Sequence, residues 1–186
     1  MNSKFSTRTI VATGLGAAVF FVLFTYVKVP SPIPETSLQT AYGVSSFFAA
    51  IFGPLAGFLI AFIGHALSDF IGYGSPWWSW VIASGVAAMI TGFAAGKIAP
   101  AVEEGEFSTK ELSYFLLWVA VANVAAWLVV APVLDIVMYA EPVKTVFVQG
   151  IAAAAMDAIV SGILGSVLLK AYASTKTGKG TLSRDN

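Results

Sequence analysis

His65 and Asp69 are the only charged or imidazole side chains in an apolar run from Pro54 to Gly85. Four residues apart, they share one face of an α-helix, about 6 Å apart along its axis at ~1.5 Å rise per residue. Such a pair can hydrogen-bond a ligand, relay a proton or simply satisfy itself as a helix-packing pair. Any of these roles requires shelter from lipid, because an Asp at the centre of a membrane helix costs roughly 2.5 to 3.5 kcal/mol to insert. The pair is therefore expected to face the protein interior or a wet cavity, where ionisable groups mark a binding or relay site.

The same run ends in a turn of unusual composition, Tyr73-Gly74-Ser75-Pro76-Trp77-Trp78-Ser79-Trp80. Tryptophans at that depth fit an interfacial aromatic belt, and they equally fit a flat wall for a ring-shaped ligand. Farther along, Asn123 and Trp127 share a helical face, as interhelical glue or as ligand contacts. Gln149 sits near an expected helix end. Asp157 stands about two turns beyond it on an alanine-rich helix, with no local partner in the sequence. A ligand, a water or His65 across the bundle must compensate it.

These side chains need a membrane scaffold to position them. The chain is 58% hydrophobic and 11% charged, with mean hydropathy +0.83, whereas soluble domains carry roughly 25% charged residues. The fold class expected is an all-α integral membrane protein, a six-transmembrane-helix bundle forming a single membrane domain over residues 1–186. Its helices are placed near 8–27, 38–52, 54–71, 79–98, 111–133 and 147–172, with 173–186 as a polar cytoplasmic tail. Residues 29–35 cannot be helical, because Pro30, Pro32 and Pro34 remove donors and fix extended geometry. They form a stiff strap ending at Glu35.

Six spans put both termini on one side. Lys4, Arg8, Lys97, Lys110, Lys170, Lys176, Lys179 and Arg184 then fall together, with only Lys28 and Lys144 opposite. Both termini are accordingly expected in the cytoplasm. The strap, the tryptophan turn and a 134–146 loop holding Asp135, Tyr139 and Glu141 become external. Polar and aromatic groups converging beneath them describe a small-molecule pocket.

Other chemistries are poorly represented. There is no cysteine, a single histidine and no G-x-x-x-x-G-K-[ST] or G-x-S-x-G segment, so the chain reads as no enzyme, with no metal site and no cofactor. Zero net charge gives no pull toward nucleic acid. Small residues at Ala12 and Gly16 in the first helix allow close helix contact, within the bundle or with another subunit.

The segments 30–34 (PSPIP), 49–54 (AAIFGP), 62–69 (FIGHALSD) and 73–85 (YGSPWWSWVIASG) resemble the substrate-binding S components of energy-coupling factor (ECF) transporters, in the riboflavin/hydroxymethylpyrimidine-type branch. The resemblance covers about residues 6–172. It implies an importer subunit in the cytoplasmic membrane of a prokaryote. Such a subunit captures a vitamin from outside and docks on a transmembrane coupling subunit that carries two ATPase subunits. It further implies that outer loops gate the pocket, here Pro30, Pro32, Pro34 and Glu35. Small residues of the first helix would meet the coupling subunit, here Ala12 and Gly16, with Phe20 at the third place of the pattern. Substrate contacts are then expected from His65, Asp69, Tyr73, Trp77, Trp78, Trp80, Asn123, Trp127, Gln149 and Asp157. The ligand expected is a small aromatic vitamin or precursor such as hydroxymethylpyrimidine, riboflavin or a pyridoxine-like ring. The alternatives are a stand-alone proton-coupled transporter using His65 and Asp69, and a non-transporting membrane scaffold.

Overall fold

The computed structural model describes residues 6–176. Helix α1 (Thr7–Tyr26) starts where the Ser6 side chain accepts a hydrogen bond from the Thr9 N–H, a standard N-cap. It leads into a two-stranded antiparallel hairpin, β1 (Lys28–Pro30) and β2 (Ser37–Gln39), with Lys28 opposite Gln39 and Pro30 opposite Ser37. The strap is thus extended, as its prolines require. It is also a hairpin, which an all-helical reading omitted. Pro30 occupies a strand end, where its missing N–H breaks no ladder.

Helix α2 (Ala41–Phe52) starts three residues later than expected, because Ser37–Gln39 is committed to the hairpin. Its 12 residues span about 18 Å, short of a ~30 Å hydrocarbon core. Gly53, at φ 91°, makes the joint to α3 (Pro54–Tyr73), which Pro54 opens at a position where its absent N–H costs nothing. Gly74 closes α3 in the left-handed conformation.

The next rod runs from Trp78 to Glu103, as α4 (Trp78–Thr91), a 3-10 turn (Gly92–Ala94) and α5 (Ala95–Glu103). The rod after it runs from Thr109 to Tyr139, as α6 (Thr109–Ala125), a π turn (Ala126–Val130) and α7 (Ala131–Tyr139). Here the expected boundary at 133 is wrong by six residues. Pro132 does not end the rod, because the π turn just before it takes up the hydrogen-bond mismatch that a proline brings to a helix interior. Asp135 and Tyr139 therefore lie on a helix rather than in a loop. Helix α8 (Val143–Ser174) completes the fold. Five helical rods are long and apolar enough to cross a membrane, with α2 as a shorter sixth. The polar tail expected over 173–186 lies outside the described residues from 177 onward.

The elements pack as a bundle in which α1 lies on α3, α3 on α4, and α2 on α8. Gly16 of α1 is buried, and a Cβ there would fall 2.7 Å from Ile60 Cδ1. Ala12 is buried on the same side. This corrects the assignment of Ala12 and Gly16 as a surface open to a partner, since both are committed to packing within the chain. The opposite face of α1, with Ile10, Leu15 and Val22, is exposed and apolar, as lipid contact requires.

Two cores divide the bundle. At the end where α1 begins and α8 finishes, Ile98, Val102, Phe115, Val119 and Leu169 form an apolar cluster. Arg8, Glu103, Tyr172 and Lys176 clasp three helix ends there, with Glu103 accepting from both cations. The Tyr172 hydroxyl and Glu103 carboxylate hold the Lys176 ammonium above the usual lysine range. Toward the hairpin, the second core combines Phe20, Phe24, Tyr42, Ile60 and Trp127 with helix-face alanines. Nearly all the buried polar chemistry adjoins this second core.

Candidate functional site

Three carboxylates are buried toward the hairpin end, and their surroundings differ sharply. Asp135, 2% exposed, accepts from Trp77 Nε1 at 2.8 Å, Trp80 Nε1 at 2.6 Å and the Ser79 hydroxyl. It is brought there because α7 continues past Pro132 to Tyr139, about two turns. The tryptophan turn is fastened further where Trp77 stacks on Tyr139 at 4.3 Å and the Trp78 N–H donates to the Tyr139 hydroxyl at 3.1 Å. Saturated with donors, Asp135 is a bolt for the turn.

Asp69 accepts from the Trp77 N–H at 3.0 Å and lies 3.5 Å from His65 Nε2. His65 Nδ1 is 2.7 Å from the Ser84 hydroxyl, which is 2.8 Å from the Tyr42 hydroxyl. Ser84 also donates to the Trp80 carbonyl at 2.9 Å. When its one proton is used there, it accepts from both His65 and Tyr42. A polar chain thus runs from the turn at Trp77 through Asp69, His65 and Ser84 to Tyr42 in the second core.

Asp157 differs from both. It is 3% exposed, and its Oδ1 has no hydrogen-bond partner. His65, the cross-bundle partner considered from sequence, is engaged with Ser84 and Asp69 instead. The backbone N–H of Gln39 on β2 faces the Asp157 carboxylate, and Tyr42 lies within its electrostatic reach.

The aromatic residues separate into three groups. Trp80 stacks on Trp127 at 5.4 Å and 26°, and Tyr42 meets Trp127 edge-on at 5.4 Å. These three make a flat-faced box in the bundle. Trp77 belongs to the turn's attachment. Trp78 points the other way, stacked on Phe62 at 6.0 Å beside a wholly apolar groove that includes Leu67 and Phe70. The side chains that line the groove offer a ligand almost no polar group. Tyr73 is 77% exposed at the end of α3 and joins neither group.

The two remaining expected contacts are occupied within the chain. Asn123 donates to the Val119 carbonyl and accepts from Trp127 Nε1 at 3.0 Å, which orients the Trp127 ring. Gln149 donates to the Pro34 carbonyl at 3.2 Å and so holds the strap to α8. Pro30, Pro32, Pro34 and Glu35 form the exposed rim of that strap. Close approach of α8 to the box depends on Gly150, where a Cβ would stand 2.2 Å from the Trp127 carbonyl oxygen in the π turn.

Sequence reasoning missed Tyr42, Ser84, Gln39 and the role of Asp135. Asp135 carried a signal, being the single charge in the 31 residues from Thr109 to Tyr139 apart from Lys110 and Glu111 at their start. Ser84 carried none, because a serine hydroxyl in a membrane helix satisfies itself on its own backbone, here the Trp80 carbonyl, and Tyr42 was one aromatic among many.

Comparison with known proteins adds an independent line. The sequence model of the family described as ECF-type riboflavin transporter, S component, matches residues 4–174. A UPF0397 protein of Enterococcus faecalis is 46% identical over the whole of both chains, and one from an Exiguobacterium species is 48% identical over the same extent. Among solved structures, the crystal structure of the S-component for biotin from an ECF-type ABC transporter superposes with TM-score 0.62 over 96% of each chain. It shares 14% sequence identity, a likeness of fold.

Proposed function

Because the chain belongs to the family of ECF-type riboflavin transporter S components, whose members are substrate-binding subunits of transporters, we propose that it binds a small aromatic vitamin or precursor from outside the cell. The observation that carries this reading is the Trp80–Trp127–Tyr42 box beside the buried polar chain. The stacked indoles of Trp80 and Trp127, with the Tyr42 phenol edge-on to Trp127, suit a planar heterocycle, and the polar groups suit its edge. Hydroxymethylpyrimidine, riboflavin and pyridoxine-like rings are the candidates. The three buried carboxylates at this end, Asp69, Asp135 and Asp157, favour a neutral or weakly basic ring over a phosphorylated one.

In this reading the hairpin end is external and both termini are cytoplasmic. The strap from Pro30 to Glu35 opens and closes over the ligand. The protein resides in the cytoplasmic membrane of a prokaryote and delivers its ligand through a transmembrane coupling subunit with two ATPase subunits, where ATP is hydrolysed. Helix α1 can meet that coupling subunit through its exposed apolar face, since Ala12 and Gly16 are turned inward.

Tryptophan-fluorescence titration of the purified chain with riboflavin, hydroxymethylpyrimidine, pyridoxine and thiamine tests the reading. Saturable quenching at submicromolar concentration by one compound, weakened in Trp80→Phe, is expected. No response to any of them contradicts the assignment of the ligand class. Uptake by the chain alone in vesicles, driven by a proton gradient, would instead establish the stand-alone transporter based on His65 and Asp69.

A further inference from the structure

Two buried acceptor oxygens meet no donor where the strap joins α8. They are Asp157 Oδ1, in a residue 3% exposed, and Gln39 Oε1, in a residue 9% exposed. They belong to one junction, since β2 packs on α8 and the Gln39 backbone N–H faces the Asp157 carboxylate. The neighbouring donors are already committed. Tyr42 bonds to Ser84, Gln149 donates to Pro34, and among the described residues no Lys or Arg pairs with Asp157. Lys28, the cross-strand neighbour of Gln39, is exposed.

A buried acceptor without a donor is destabilising, so two at one junction need a third party that brings hydrogen. Resting on the reading that a ring ligand enters beside the box, we infer that Gln39 and Asp157 form a two-acceptor recognition edge for a ligand with N–H donors, an amine carried on an aromatic ring. Asp157 lies on α8 and Gln39 on the strap, so a ligand that bonds to both would tie the strap to α8. The same edge discriminates chemically. An amino-substituted heterocycle supplies hydrogens to both oxygens, whereas a carboxylate or phosphate edge brings no hydrogen and a second negative charge to Asp157, and a carbonyl oxygen can be met only by turning the Gln39 amide.

The test is calorimetric titration of the full chain with (4-amino-2-methylpyrimidin-5-yl)methanol and with its 4-oxo counterpart. The comparison is repeated in Asp157→Asn and Gln39→Leu. The amine is expected to bind the unaltered chain about tenfold or more tightly than the oxo compound, and each substitution to reduce its binding by about tenfold. Asp157→Leu supplies a readout that needs no ligand. Removing an orphaned carboxylate raises the unfolding temperature of the empty protein, whereas a carboxylate with a structural role would lower it. Equal binding of the amine and oxo compounds, or undiminished amine binding in both variants, overturns the inference. If riboflavin or pyridoxine binds and both variants retain it fully, the inference fails while the ring-ligand reading stands. If none of these rings binds the unaltered chain, both fall together.

Discussion

The tryptophan turn at residues 74–80 and the proline strap at residues 28–40 cap the same end of the bundle, but they are held in opposite ways. The turn delivers three side-chain donors to one buried carboxylate, Asp135, gives a backbone N–H to Asp69, and stacks Trp77 on Tyr139. The strap has three cross-strand residue pairs, a Thr40-to-Val27 bond closing its base, and the Gln149-to-Pro34 bond tying it to α8. Its contact with Asp157 is incomplete, because Oδ1 is unpaired. The comparison teaches that prolines and tryptophans, both conspicuous in the sequence, have different uses. One loop is fastened on several sides, and the other keeps two buried acceptors unpaired where it meets α8, the contrast to be expected if, as proposed, the first is a wall and the second a lid.

Breaking the wall should have the largest effect. Asp135→Ala strands the Trp77 and Trp80 N–H groups and the Ser79 hydroxyl, and at ~1 to 3 kcal/mol for each buried unpaired group it should destabilise by about 3 kcal/mol or more. Near-ultraviolet circular dichroism during thermal unfolding would show the loss together with a weakened tryptophan signal. An unchanged melting temperature would mean that the turn is held by something else.

Gly150→Ala comes next. It drives a methyl group against the Trp127 carbonyl at 2.2 Å, and overpacking of this kind costs about 1 to 3 kcal/mol. Because the displaced atom belongs to the π turn beneath the box, ligand affinity should fall along with stability. A variant with normal stability and normal binding would show that α8 can retreat from the box without consequence.

The lid should respond differently. Gln149→Ala removes a partly exposed hydrogen bond and should change stability by only about 0.5 to 1.5 kcal/mol. Its expected signature is faster ligand release with nearly unchanged association, read by stopped-flow fluorescence. Loss of stability as large as that of Asp135→Ala would erase the distinction between lid and wall. The smallest effect is expected far from both loops, at the partly exposed Arg8–Glu103 pair. Glu103→Gln should cost no more than about 1 kcal/mol and less in high salt, without altering ligand binding.

Much of this division was legible before the structure, and its failures have physical causes. The apolar run with His65 and Asp69 on one face was read correctly as interior, because four-residue spacing fixes helical facing whatever the tertiary context. The prolines at 30, 32 and 34 announced extended backbone, but hairpin pairing depends on a register that proline spacing does not encode. The end of α7 was placed at 133 from the expected span length, and a π turn that carries the rod on past Pro132 to Tyr139 has no distinctive residue type. That single boundary moved Asp135 from an external loop into the interior and hid the wall's main fastening. Asp157 was recognised as a buried acid needing a partner, while Gln39 was not, because its burial follows only once β2 lies on α8. The inward stripe of Ala12 and Gly16 shows the remaining limit. Small residues specify close approach but do not specify which neighbour approaches.

Hydrogen exchange measured peptide by peptide, without ligand and with the ring compound that binds best, tests the contrast between wall and lid most directly. The account predicts slow exchange over residues 74–81 in both states, and fast exchange over residues 28–40 that slows markedly when ligand is added. Equal exchange of the two segments in the empty protein, or protection by ligand confined to the tryptophan turn, would contradict it.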